Sequence, residues 1–143
     1  MYHKTIIVGN LGQDPQMRYT QDGTPVTNFS VATNRRWNSQ DGEQREETIW
    51  FRVTVWRRLA ETCNEYLKKG RPVLVEGRLK PDPQTGGPRI WTAHDGGARA
   101  SFEITAVNVR FLGGRDDTAA DVPGAPADVP GAPPAESEDE IPF

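Results

Sequence analysis

Ile49-Trp50-Phe51-Arg52-Val53-Thr54-Val55-Trp56 alternates strictly in character, and alternate side chains of a β-strand point to opposite faces. One face of such a strand carries Ile49, Phe51, Val53 and Val55, an unbroken apolar row suited to a core. The other carries Trp50, Arg52, Thr54 and Trp56. A single outward tryptophan is ordinarily covered by a loop or a neighbouring subunit. Two indoles and a guanidinium in register favour a binding platform instead. Indoles offer flat faces on which any nucleobase can stack, and arginine pairs with phosphate or stacks itself, so the row suits a single-stranded nucleic acid.

The flanking segments read as a small all-β protein. Asp41-Gly42 closes a hairpin between this strand and a preceding one from about Val26 to Trp37, which places Trp37 near the hairpin loop. An earlier strand runs from about Lys4 to Leu11, and the turn Gln21-Asp22-Gly23-Thr24-Pro25 separates the two. Downstream, Leu59, Cys63, Tyr66 and Leu67 recur at helical spacing and predict a helix from about Arg58 to Lys69. Lys68 and Lys69 would sit at the negative end of its dipole, with Gly70 as the left-handed cap. Further strands are expected from about Pro72 to Lys80 and from about Arg99 to Leu112. Three strands, a helix and two more strands is the order of an OB-fold, an all-β, five-stranded Greek-key barrel with one helix between strands 3 and 4. An SH3-like barrel is the alternative, but it lacks a helix of this length at that point.

Charge is divided unevenly along the 143 residues. Residues 1–115 hold all 17 Lys and Arg against 12 Asp and Glu, a net of +5, whereas residues 116–143 hold 8 acids and no base, a net of −8. The overall −3 therefore hides a basic body with an acidic tail. A basic body gathers a polyanion by counterion release, and a tethered acidic tail can compete for the same surface.

The tail repeats Ala-Asp-Val-Pro-Gly-Ala-Pro at 120–126 and 127–133. Prolines at that density block helix, and the few valines cannot build a core, so an extended disordered tether is expected. The expected domains are thus an OB body at 1–115, a Pro/Gly/Ala-rich linker at 116–135 and an acidic tip at 136–143.

No apolar run approaches the roughly 20 residues that span a bilayer, and Met1-Tyr2-His3-Lys4 leads straight into strand-like sequence. A cytoplasmic protein is expected, without membrane partners. The lone cysteine, Cys63, has no disulfide partner and reads as a buried spectator. His3 and His94 lie far apart, and paired carboxylates or phosphate-cradling glycines are missing, so neither catalysis nor a metal or other cofactor is expected.

Several segments resemble the bacterial single-stranded DNA-binding proteins. Val8-Gly9-Asn10-Leu11-Gly12-Gln13-Asp14-Pro15 with Arg18-Tyr19 is similar to that family's first strand and turn. Arg58-Leu59-Ala60-Glu61 and Glu65-Tyr66-Leu67-Lys68-Lys69-Gly70 are similar to its helix, and Glu76-Gly77-Arg78-Leu79 and Leu112-Gly113-Gly114-Arg115 match further on. Asp139-Glu140-Ile141-Pro142-Phe143 is similar to its C-terminal tip.

The resemblance implies base stacking by Trp37 and Trp50, and by Trp56, which stands where the family commonly has phenylalanine. Trp91 matches a tryptophan of the family's long loop, although Pro81 to Ile90 departs from the usual pattern. Arg35, Arg36, Arg52, Arg57, Lys80 and Arg89 lie beside these aromatics and are candidates for phosphate contact; the resemblance adds Arg18. It further implies a homotetramer, a nucleoid-associated location, and roles in replication, recombination and repair. Partner proteins would dock on Asp139, Glu140, Ile141, Pro142 and Phe143, the terminal ring and carboxylate entering an apolar pocket on the partner rimmed by basic residues. An RNA-binding or primosome-type OB module is the alternative.

Overall fold

The computed structural model describes residues 1–113. The expected linker at 116–135 and tip at 136–143 lie outside the described residues. Five long strands form the barrel: β1 (Thr5–Leu11), β3 (Pro25–Asn38), β4 (Gln44–Trp56), β5 (Pro72–Leu79) and β7 (Ala98–Phe111). Two short strands join them, β2 (Gln16–Tyr19) along β3 and β6 (Arg89–Thr92) along β7. One helix, α1 (Arg57–Tyr66), connects β4 to β5. It is too short to cross a membrane, as is any helix among the described residues.

Closure follows from the pairing. β1 pairs with β5, β5 with β7, β7 with β4 and β4 with β3, and Asn10 and Leu11 of β1 return to Ala32 and Val31 of β3. All these rungs are antiparallel except β4–β7, where Phe51 faces Phe102 and Thr54 faces Thr105 in parallel. This is the expected OB-fold, a closed five-stranded barrel with its helix after the third barrel strand.

Alternation of the chain fills the barrel. Phe29, Val31, Val53, Val55, Val73, Val75 and Ile104 are all buried at its centre, and each full burial is worth about 1.5–3 kcal/mol. Helix α1 plugs one end with Ala60 and Cys63, followed by Leu67. Thr27 is buried beneath it and donates from Oγ1 to the Ala60 carbonyl at 2.8 Å, so the one buried polar side chain of β3 is satisfied.

Three local expectations are revised. The apolar row of β4 is buried at Val53 and Val55 but only partly at Phe51, and Ile49 is 39% exposed. The β3–β4 hairpin outruns the barrel, so the alternation continues where there is no core to fill. The helix ends at Tyr66 rather than Lys69, because Leu67 turns extended (φ −85°, ψ 143°) to enter the core. Lys68 and Lys69 thus lie beyond its last turn. Gly70 is left-handed (φ 84°), yet it serves the turn beyond: its N–H donates to the Leu11 carbonyl, while the Lys69 N–H donates to Asp14 Oδ1. Finally, Trp91 belongs to a strand, β6, and not to a loop.

Candidate nucleic-acid interface

β3 and β4 stay paired from Val26–Trp56 out to Asn38–Gln44, and this register decides which side chains share a face. Trp50 stands opposite Ala32, Arg52 opposite Ser30, and Thr54 opposite Asn28. The outward row read from the sequence is therefore real: Trp50 is 54% exposed, Trp56 43%. Its floor is polar and ordered, Thr54 Oγ1 donating to Asn28 Oδ1 at 2.8 Å.

Beside this row lies a groove of about 580 Å³. Its walls come from five strands and one strand end: Gln16, Met17 and Arg18 of β2, Asn28 of β3, Arg52, Thr54 and Trp56 of β4, Lys80 just past β5, Arg89 of β6 and Glu103 of β7. Four of the candidate cations, Arg18, Arg52, Lys80 and Arg89, thus meet in one place although they are spread over 72 positions of sequence, from 18 to 89. Among the described residues no carboxylate comes within ion-pair distance of Arg18, Arg52 or Lys80.

The remaining candidates flank the groove without lining it. Trp37 pairs with Arg45, which alternates onto the hairpin face opposite Trp50, and its ring carries the Arg35 guanidinium 5.3 Å from its centre. Arg36 lies on the Trp50 face, bound to Glu46 at 3.2 Å; Arg35 has Glu47 opposite it at 3.9 Å. Both pairs are exposed and are worth little. Arg57 opens α1 directly after β4 in a left-handed conformation, φ 58°, rare for a residue with a side chain. That reversal swings the chain from strand to helix directly after Trp56.

Trp91 is held by the β6–β7 hairpin, opposite Arg99, with Arg89 opposite Ser101. Alternation puts Arg89, Trp91, Arg99, Ser101 and Glu103 on one face, the face that borders the groove at Arg89 and Glu103. Asp95 shapes the turn, accepting from the Gly97 N–H and from Arg99, each at 3.0 Å. The Gly97 amide first, then Arg99, hold its carboxyl below the usual carboxylate range.

Sequence reading missed Gln16, Met17, Asn28, Arg99 and Glu103. Asp95-Gly96 between two alternating runs was the available signal for the β6–β7 hairpin and hence for Arg99. Nothing local in the sequence marks Gln16, Met17 or Asn28, whose place depends on which strands adjoin.

Residues 2–112 match the model of the single-strand binding protein family. The chain belongs to that family. A single-stranded DNA-binding protein of Neisseria meningitidis serogroup A is 40% identical over 121 residues, covering 85% of this chain and 66% of the relative. Single-stranded DNA-binding protein 1 of Xylella fastidiosa is 42% identical over 116 residues, 80% of each chain. The chain therefore spans just under two thirds of the length of the meningococcal relative. Among solved structures, the SSB of Plasmodium falciparum in complex with ssDNA superposes with a TM-score of 0.64 at 27% identity, covering 79% of this chain and 97% of that one.

Proposed function

We propose that this chain binds single-stranded DNA without sequence preference and acts by coating and protecting it, not by catalysis. The observation that carries the reading is the convergence of Arg18, Arg52, Lys80 and Arg89 in one groove whose edge is Trp56 and whose neighbour along β4 is Trp50. Cations spaced along a groove neutralise phosphates, and exposed indoles stack bases at about 1–3 kcal/mol each, whatever the base. A duplex keeps its bases stacked on one another and cannot use the indoles. Family membership and the ssDNA complex of the Plasmodium relative support the same reading.

Trp37, Arg35 and Arg36 on the hairpin, Trp91 on β6 and Arg57 at the start of α1 extend the path beyond the groove. Ile6 and Val8 expose apolar side chains on the outer face of β1, where a second copy of the chain would cover them, in keeping with a homotetramer. Replication, recombination and repair proteins would be recruited by Asp139, Glu140, Ile141, Pro142 and Phe143, in the nucleoid-containing cytoplasm.

The test is a titration of intrinsic tryptophan fluorescence with oligo-dT, oligo-rU and duplex DNA at low and high salt. Strong quenching by oligo-dT and a weak response to duplex are expected, with dT outcompeting rU. Equal affinity for the two single strands would favour the RNA-binding alternative, and no quenching by either would overturn the reading. Light scattering on the eluting protein gives the subunit number directly.

A further inference from the structure

Glu103 is the one buried charged side chain among the described residues, at 8% exposure, and it lines the cationic groove. A carboxylate removed from water is costly unless it is paired and hydrogen-bonded. Its partners are few and long. Ser101 Oγ donates to Oε1 at 3.3 Å, and Arg89 Nη1 stands 3.8 Å from the same oxygen. The Arg89 side chain is otherwise largely in solvent. On its strand Glu103 is also the parallel partner of Arg52, and its carbonyl receives the Lys80 N–H at 2.8 Å, so the acid is fixed among three of the four groove cations.

An anion with these neighbours has the charge and the place of a nucleotide phosphate. We propose that Glu103 is an internal phosphate mimic: it holds Arg89 over the groove in the free protein and surrenders it to a backbone phosphate of the bound strand. The inference rests on the groove being the single-strand path. Its consequence is that one cation is already neutralised before the strand arrives, so fewer counterions are released on binding than the cations of the groove imply. The remaining carboxylate then repels the strand and speeds its departure.

Glu103→Gln keeps the shape and the Ser101 contact and removes the charge. For single strands the slope of log K against log salt changes by about 0.7 for each cation that engages a phosphate. E103Q is expected to steepen the slope for oligo-dT by about that amount. Its affinity gain, greatest at low salt, should shrink about fivefold for each tenfold rise in salt, as that slope dictates. R89Q should flatten the slope by much less than R52Q in the natural chain, but by as much as R52Q once E103Q is also present.

If Glu103 merely seals the barrel, E103Q will weaken binding or leave it unchanged with the same slope, and the proposal is overturned. Should E103Q fail to fold by circular dichroism, R89Q and R52Q in the natural chain still decide it, since equal flattening by the two overturns the mimic. If the natural chain ignores oligo-dT altogether, the reading of the groove falls first and this inference falls with it.

Discussion

The six-membered ring of Trp50 occupies the space that a β-carbon on Gly12 would need, with Ser30 Oγ at the border of the same space. Gly12 follows β1, and its N–H donates to the Ser30 carbonyl at 3.0 Å, so the glycine is clamped against the strand that carries the indole's neighbours. The absence of a side chain at residue 12 sets how Trp50 lies on the sheet.

Gly12→Ala should therefore displace the Trp50 ring. Stacking on one aromatic is worth about 1–3 kcal/mol, so the substitution is expected to weaken oligo-dT binding by up to about tenfold, as a partial loss of that stack. Combining it with Trp50→Ala should cost no more than Trp50→Ala alone, because both act through one ring. Fluorescence titration of the two single variants and the double variant measures this; fully additive losses would show that Gly12 does not act through Trp50.

Trp37 faces away from Trp50 across the hairpin, whereas Trp56 borders the groove. Trp56→Ala is expected to weaken short and long oligo-dT alike, by about 1–3 kcal/mol. Trp37→Ala should be nearly silent with an oligomer long enough to fill only the groove, and its cost should emerge as the strand is lengthened around the hairpin. Titrations with a ladder of oligo-dT lengths separate the two.

Arg57 holds a left-handed backbone that costs a residue with a β-carbon about 1–2 kcal/mol, and glycine almost none. Arg57→Gly is expected to be more stable than Arg57→Ala by about 1 kcal/mol in urea unfolding, while both lose the same charge. Equal midpoints and slopes for the two variants would mean that the strain is relieved elsewhere.

Burial pushes the Cys63 thiol up to about 12, from an ordinary value of 9.0. The folded state therefore keeps its proton where the unfolded state has lost it. The sign follows: Cys63 leaves stability unchanged below about pH 9, and lowers it progressively as pH rises from about 9 to 12. Cys63→Ala should flatten that alkaline decline, measured by urea titrations at stepped pH. In the natural protein, labelling by a thiol reagent at pH 8 should proceed at the rate of opening and not at that of a free thiol.

The barrel was legible in the sequence because its strands obey one rule, an apolar side chain at every second position, and β4 shows that rule with hardly a break. The same rule overreached at Ile49, since alternation reports a strand's two faces but not whether a core lies beneath one of them. The helix end was misplaced for a related reason. Lys68, Lys69 and Gly70 are good local capping signals, but burial of Leu67 requires an extended backbone and prevails over them.

Candidate site residues were readable from aromatic and basic side chains near one another in sequence. Their division into a groove cluster and a hairpin cluster was not, because it depends on which strands adjoin. Glu103 had a visible signal, the one acid of β7, set between the apolar Phe102 and Ile104, but its meaning appears only once Arg52, Lys80 and Arg89 are placed around it.

The parallel rungs between β4 and β7 also bear on how the chain is made. Phe51 waits for Phe102, and between them the ribosome must add about 50 residues, a few seconds of synthesis at 5–20 residues per second. During that interval the largest hairpin of the protein exists with one edge of β4 open and Val53 and Val55 uncovered. Such non-local closure also places the molecule among slow folders. The half-built barrel is the stage most exposed to aggregation, and the final strand is what ends it.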